Sequence, residues 1–505
     1  MTEDSTTSSK IPSAPFAYLS KDTELFLDLS GLEQVLSESN DQRQQAYDLG
    51  NQIKAALLKC RASLEQHQTA NKKKELQDSL QALVQQALNF SSASASASDS
   101  DKDTTTSSGS VVRMGNLNNS LADYLRHQAY EHFIETGTLL SPPPPNTEYT
   151  DEEYLGGILS FVNFDLKRYV IGRGTHRDAH SVLIARDMVA TLLDHLLQYD
   201  FRNGPLRRKY DGVKYTLKTC ETVLYELSVT GCQEAMEAQQ QQQQQEGGGA
   251  STEPPPSKRS KSEKSSSAPA LKPSPFMNVE ALEALRLRMV EKDELREKLI
   301  KKCRDGQKAA KQAIYALHRD DFDGAAQLLQ QCEQCILEEL EPIVKLEPNL
   351  RHGSYSNVLE EYAEAKLYQV WLVGKDNGGD GEDTSMIQTT VPAKVVLVPD
   401  DFSKIRLEPQ EYLGGLCDLT GEIGRFAVKK ATIRDKDNVK NCLETNMSVL
   451  YAMESMGRIP GNIGKKVDPL RRTVEKQERM LYELSLVEAT GRNTIVAGVE
   501  ANAEE

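Results

Sequence analysis

The sequence predicts an all-α protein built from two tandem helical bundles, and three observations carry that prediction. Apolar residues recur at helical intervals along most of the chain. Aromatic residues make up only 6% and there is a single Trp, Trp371, which is sparse for strands rich in Tyr, Phe and β-branched side chains. Short words of the first half also return, in order, in the second.

The elements follow in chain order. Residues 1–22 read as an unstructured N-terminus. Thr23 to Gln68 keeps Leu25, Leu29, Leu32 and Leu36, then Ala46, Leu49, Ile53 and Leu57 on one face, with a break expected near Ser37 to Asn40. The first domain is expected over 23–237. It carries an insert, 91–110, of nearly pure Ser, Ala, Thr and Asp, too poor in apolar surface to offset chain ordering. Residues 238–275 hold polyglutamine, three Gly, a Pro triplet and a Ser/Lys cluster, and read as a disordered linker. The second domain is expected over 276–487. It opens with an amphipathic helix from Val279 to His318, contains a Gly/Asp-rich loop beginning at Gly374 (374–400), and is followed by a flexible tail, 488–505. Lys394 to Val398, closed by Pro399, is the one strand-like run; without a partner it reads as an extended connection.

The repeat is specific. Glu153-Tyr154-Leu155-Gly156-Gly157 returns as Glu411-Tyr412-Leu413-Gly414-Gly415, an offset of 258 residues. Leu224-Tyr225-Glu226-Leu227-Ser228 returns as Leu481-Tyr482-Glu483-Leu484-Ser485, and Lys209-Tyr210-Asp211 as Lys466-Val467-Asp468, both at 257. Leu121-Ala122-Asp123-Tyr124 aligns with Leu359-Glu360-Glu361-Tyr362 at 238. The difference of about 20 residues is what the extra loop at Gly374 and its flanks supply.

Composition narrows the function classes. The 505 residues carry 60 Lys and Arg against 75 Asp and Glu, a net charge of −15, which excludes a uniformly basic nucleic-acid coat but permits a local basic groove. No apolar run reaches the roughly 18 residues of a membrane span, and the N-terminus has no signal-peptide pattern. Eight scattered Cys fit a reducing compartment, and Cys332 and Cys335, a lone C-x-x-C, read as helix positions. Lys258-Arg259-Ser260-Lys261 fits a nuclear import signal.

In the second copy Glu361 and Glu364 stand at i, i+3 on one helix, and Asp418 and Glu422 at i, i+4 on another, each pair on one face. Four converging carboxylates relieve their repulsion by taking up protons or a cation. Hard oxygen donors suit Mg²⁺ or Mn²⁺, ions that polarise phosphoryl oxygens and activate water, so the chemistry expected is phosphodiester hydrolysis. At the matching offsets the first copy has Asp123, Arg126, Ser160 and Phe164, so three of the four acids are missing while the surrounding words persist. Asp165 lies near, but one residue along a regular helix turns it about 100° off that face. Arg425 and Lys429 continue the face of Asp418 and Glu422 and are expected to hold phosphates. Arg113, Arg207 and Arg208 are the RNA-contact candidates of the first half.

These words carry a family resemblance. The second copy resembles translin-associated factor X in Glu361-Tyr362-Ala363-Glu364, Asp418-Leu419-Thr420-Gly421-Glu422 and Ala316-Leu317-His318-Arg319. The first resembles translin in Phe133-Ile134-Glu135-Thr136, Tyr154-Leu155-Gly156-Gly157 and Leu206-Arg207-Arg208-Lys209-Tyr210-Asp211-Gly212-Val213-Lys214-Tyr215. The resemblance implies bundles of about seven helices that assemble into a closed, barrel-like oligomer. It implies a Mg²⁺-dependent endoribonuclease on single-stranded RNA (single-stranded DNA being a second possible ligand), active in small-RNA passenger-strand removal and tRNA-fragment processing. Glu361, Glu364, Asp418 and Glu422 would be its catalytic metal ligands, the N-terminal half its RNA-binding and architectural part, and cytoplasm and nucleus its location, with no membrane partner. The family normally supplies the two subunits as separate chains; here both stand in one. A translin-type basic, His-rich segment does not reappear ahead of Leu121. The rival expectation is a non-catalytic single-stranded nucleic-acid-binding scaffold whose acids are structural.

Overall fold

The computed structural model describes residues 27–97, 113–232, 274–374 and 396–490, apart from 28, 67–68, 115, 146, 202–203, 458 and 460. The expected import signal and nearly all of the expected linker lie outside the described residues. The described chain is α-helical with no strand; Ser274 and Met277 form one isolated bridge. In the first half the helices are α1 (Ser30–Glu65), α2 (Ala70–Ala97), α3 (Leu117–Thr136), α4 (Asp151–Ser160), α5 (Lys167–Thr175), α6 (Ala179–Leu196) and α7 (Pro205–Leu227). In the second they are α8 (Val279–His318), α9 (Phe322–Gln334), α10 (Glu341–Leu346), α11 (Ser354–Val373), α12 (Pro409–Thr432), α13 (Lys436–Ser455) and α14 (Gly461–Thr490). None is long and apolar enough to cross a membrane. The connection at 396–398 is extended and unpaired.

The chain packs as two compact units, Asp41–Leu295 and the described residues up to Asn40 together with those from Arg296 on. Both divisions fall inside helices. The break expected near Ser37 to Asn40 is not there: α1 runs unbroken through it. Ser and Asn cost an exposed helix interior only about 0.5 kcal/mol each, too little to end it. The change of apolar phase marks a change of packing partner. Glu33 accepts a hydrogen bond from the Gly457 backbone at 2.9 Å, within the second-half unit. Ala46, Leu49, Ile53 and Leu57 instead join Leu80 and Val84 of α2 and Leu117 and Leu121 of α3 in the first-half unit.

Two local devices recur in both units. The first is a buried ion pair at the head of the central helix. Glu153 closes a capping box at the start of α4, accepting from the Thr150 backbone at 2.9 Å, and also receives Arg113 at 2.8 Å. Glu411 does the same for α12, bonding the Glu408 backbone at 2.8 Å and both guanidinium nitrogens of Arg351. Arg113 and Arg351 are offset by the same 238 residues as the α3 and α11 words. The adjoining Tyr154 and Tyr412 hydroxyls donate to the Leu140 and Leu397 carbonyls.

The second device is the Gly-Gly pair, where the central helix crosses its neighbour almost backbone to backbone. A Cβ on Gly157 would stand 2.7 Å from the Ala122 carbonyl oxygen. One on Gly415 would stand 2.8 Å from the Ala363 Cβ and 2.9 Å from both the Glu360 oxygen and the Glu364 nitrogen. No side chain fits there without parting the helices.

Gly415→Ala is therefore expected to cost about 1–3 kcal/mol in urea unfolding. Gly421→Ala, on the same helix with nothing within 4 Å, is expected to be neutral or to stabilise by up to about 1 kcal/mol. Equal effects at the two positions would disprove the close crossing. Glu153→Ala, which strands the buried Arg113, should cost about 3–5 kcal/mol.

Candidate active site

The Gly414–Gly415 crossing brings the acids of α11 and α12 to the same place. Glu361 leaves α11 beside Glu360 and Glu364 one turn past it, and Asp418 and Glu422 leave α12 one and two turns past Gly414. Glu364 is at the centre: it is 8% exposed and forms no hydrogen bond or ion pair among the described residues. Burial first, and then the neighbouring charges of Asp418, Glu361 and Glu422, push its carboxyl up to about 8. The four acids predicted to converge thus gather around one buried member.

The outer three are each turned to a cation of the chain. Lys466 of α14 donates to Asp418 and to Glu360, both at 2.5 Å. Burial alone would lower its ammonium, but those two bonds outweigh burial and hold it raised. Lys311 of α8 pairs with Glu361 at 2.9 Å. Arg425 reaches Glu422 at 2.9 Å, and the His318 Nε2 bonds the same carboxylate while its Nδ1 meets the Tyr368 hydroxyl at 3.2 Å. With these pairings in place, no three acidic, His or Cys side chains among the described residues stand close enough to share one metal ion. The donor chemistry fits a hard divalent cation, and Glu364, raised to about 8, relieves the repulsion of the cluster by keeping its proton rather than by an ion pair. Binding an ion requires the flexible Lys and Arg side chains to swing away from the outer acids.

The first half has the same crossing and a different filling. Arg126, in the place of Glu364, binds Asp165 through two contacts of 2.5 and 2.8 Å and lies 5.1 Å over the Phe164 ring. Ser160, in the place of Asp418, turns its hydroxyl back to the Gly156 carbonyl, and Lys209 donates to that same oxygen at 2.9 Å. Asp165 departs from the sequence expectation: it does face α3. Residues Phe161–Leu166 form a π-helical segment whose wider turns undo the rotation a regular helix would impose. Arg61 also reaches Asp165, at 3.4 Å, so two arginines share one carboxylate here in place of the gathered acids of the second half.

The basic candidates separate. Arg113 is a correction: its side chain is 3% exposed and bound to Glu153, so it is a structural ion pair and offers nothing to RNA. Arg425 is open to solvent but engaged with Glu422. Lys429 donates to Asp320 at 2.7 Å and to the His318 carbonyl. Arg207 and Arg208 are exposed in the first turn of α7, with Arg207 beside Asp211 and 5.5 Å over Tyr210. Lys466, Lys311, Glu360 and Tyr368 touch the cluster and were not singled out from sequence, nor was His318 for this role. Lys466 left a trace as the repeat of Lys209, and Glu360 and His318 stood within quoted words without a role.

A model of the Translin family matches residues 41–231 and again 294–487. The chain is 24% identical over 209 residues to Translin-associated protein X of Mus musculus, covering 38% of this chain and 72% of that one. It is 24% identical over 222 residues to the Translin-associated protein X homolog of Schizosaccharomyces pombe, covering 40% and 86%. It is 32% identical to Translin of Gallus gallus over 80 residues, 16% of this chain and 34% of that relative. Among solved structures, the AfC3PO–duplex RNA complex is 20% identical, covering 41% of this chain and 98% of that one with a TM-score of 0.32.

Glu364 carries a pH signature. A carboxyl raised from 4.5 to about 8 in the folded state keeps its proton while the unfolded chain loses it. Stability is therefore lost as pH rises through that interval. Glu364→Gln should match wild type near pH 4 and exceed it by up to about 5 kcal/mol above pH 8 in metal-free urea unfolding. Equal stabilities at pH 8.5 would show that the acids do not converge.

Proposed function

The chain belongs to the Translin family, and on that premise we propose that it is a divalent-metal-dependent endoribonuclease acting on single-stranded RNA, with the catalytic centre in its C-terminal half. The observation that carries this reading is Glu364, buried, without an ion pair among the described residues and neighboured by three further acids in one half only. Glu361, Glu364, Asp418 and Glu422 would hold Mg²⁺, or Mn²⁺ in its place. When bound, the ion supplies positive charge at the scissile phosphate and makes water more acidic.

The remaining work falls to the chain itself. Lys466 and Lys311 would release Asp418 and Glu361 on ion entry and stay beside them as counter-charges. His318, fixed by Tyr368, keeps the Glu422 carboxylate oriented. Arg425 and Lys429 would take phosphates flanking the cut, and a carboxylate oxygen left free would orient the attacking water. Attack by water leaves a 5′-phosphate and a 3′-hydroxyl.

The N-terminal half, its crossing closed by Arg126 and Asp165, would serve binding and architecture. Assembly of copies into a closed shell is supported by exposed Tyr225 and Tyr482, which occupy the same repeat position on α7 and α14. Action in the cytoplasm and nucleus completes the reading. One observation favours the rival, a non-catalytic RNA-binding scaffold: as they stand, the outer acids are paired with cations of the chain, and among the described residues no three acids lie close enough to hold one ion.

Labelled single-stranded RNA decides between them. Wild type with Mg²⁺ should cut internally and leave 5′-phosphate ends, and EDTA should abolish cutting. Asp418→Ala should slow it at least about 100-fold, near 3 kcal/mol of barrier. Cleavage that survives both EDTA and Asp418→Ala, or cyclic-phosphate products, would refute the metal mechanism.

A further inference from the structure

Helix α8 and the turn that follows it present a stripe of which only Lys311 has a role so far. Arg304, Lys308, Lys311, Tyr315 and Arg319 follow one another at steps of three or four residues, so they lie along one face about 22 Å long. All five are exposed, and Gln307 and Gln312 flank them in the same shallow groove. Between Lys301 and His318 there are five bases and one acid, Asp305, which a regular helix turns about 100° away from Arg304. Arg304 and Lys308 have no ion pair or side-chain hydrogen bond among the described residues. Tyr315 is 64% exposed, and its ring is covered on one side by the Arg319 guanidinium at 5.6 Å. The stripe meets the acidic cluster at Lys311, through its bond to Glu361.

Three features need a common cause. Arg304 and Lys308 are like charges at i, i+4, an arrangement that weakens a helix by a few tenths of a kcal/mol, and neither has an ion pair among the described residues of a chain that is acidic overall. A large aromatic ring stands in solvent among them. The row also leads directly to the carboxylates. A phosphate chain bearing unstacked bases answers all three: phosphates neutralise the cations, a base stacks on the ring, and the strand is delivered to the acids.

We infer that this face of α8 is the track along which single-stranded RNA enters the C-terminal active site. Arg304, Lys308 and Arg319 bind phosphates and Tyr315 stacks a base. Lys311 is the junction, released from Glu361 as the strand arrives. The inference rests on the nuclease reading for the direction of travel, but the binding it asserts is independent of cleavage.

The test is RNA binding by the full chain in EDTA, followed by fluorescence anisotropy of a labelled single strand over a range of salt. Arg304→Ala with Lys308→Ala should reduce the slope of log affinity against log salt by about 1.4, two phosphate contacts of roughly 0.7 each. Tyr315→Ala should weaken binding about 5- to 150-fold at fixed salt with little change in slope, and Tyr315→Phe should restore it. Unchanged slope and affinity in these variants, while wild type binds, would overturn the track and leave the nuclease reading standing. Loss of binding in the variants of a protein that cuts nothing would uphold the track and sink the nuclease reading. A wild type that does not retain RNA, or one from which an acidic peptide displaces RNA as well as RNA does, would also overturn the track.

Discussion

The structure depends on one steric constraint: the central helix of each bundle must cross its neighbour at a distance only glycine allows. At Gly415 the α12 backbone lies against the backbone of Glu360 and Glu364. Whatever side chains leave α11 and α12 beside that point are forced together, because neither helix can retreat without opening the core around Tyr412, Leu413, Leu416 and Trp371. Four acids set there cannot all keep ordinary ionisation in a buried position. An Arg–Glu pair at the head of each central helix ties it to the chain leading into that neighbour.

The two halves amount to one crossing filled in two ways. In the first, Arg126 takes the centre, Asp165 neutralises it and Phe164 covers it. In the second, Glu364 takes the centre and has no ion-pair partner among the described residues. A duplicated scaffold can keep its packing words while one copy loses the charge pattern, because the Gly crossing, the capping Glu and the Tyr hydroxyl bond are made in both halves whichever charges stand beside them. Chemistry and architecture are thus carried by separate residues on the same helices.

Much of this was legible in the sequence, and the rest was not for identifiable reasons. Helical periodicity and the repeat disclosed the bundles, and i, i+3 and i, i+4 spacing placed each acid pair on one face. That the two faces meet was not legible, since spacing says nothing across helices. The partners Lys466, Lys311 and His318 arrive from α14 and α8, far away in the chain, and no local pattern reports them. Arg113 looked like a free basic group because its partner, Glu153, lies 40 residues on. Ser37 to Asn40 looked like a helix end because a change of packing partner alters the apolar phase as a true break does. Asp165 was misplaced because a π-helical segment has no sequence mark.

The central claim, that the C-terminal crossing is a divalent-cation site and the N-terminal one is not, is tested most directly by anomalous diffraction from crystals of the full chain soaked in Mn²⁺. The account predicts a peak between α11 and α12, about 2.0–2.3 Å from oxygens of at least two of the four carboxylates, with Lys466 withdrawn from Asp418 and no peak near Arg126. No peak, with Lys466 and Lys311 still seated on Asp418 and Glu361, would contradict it, as would equal peaks in both halves.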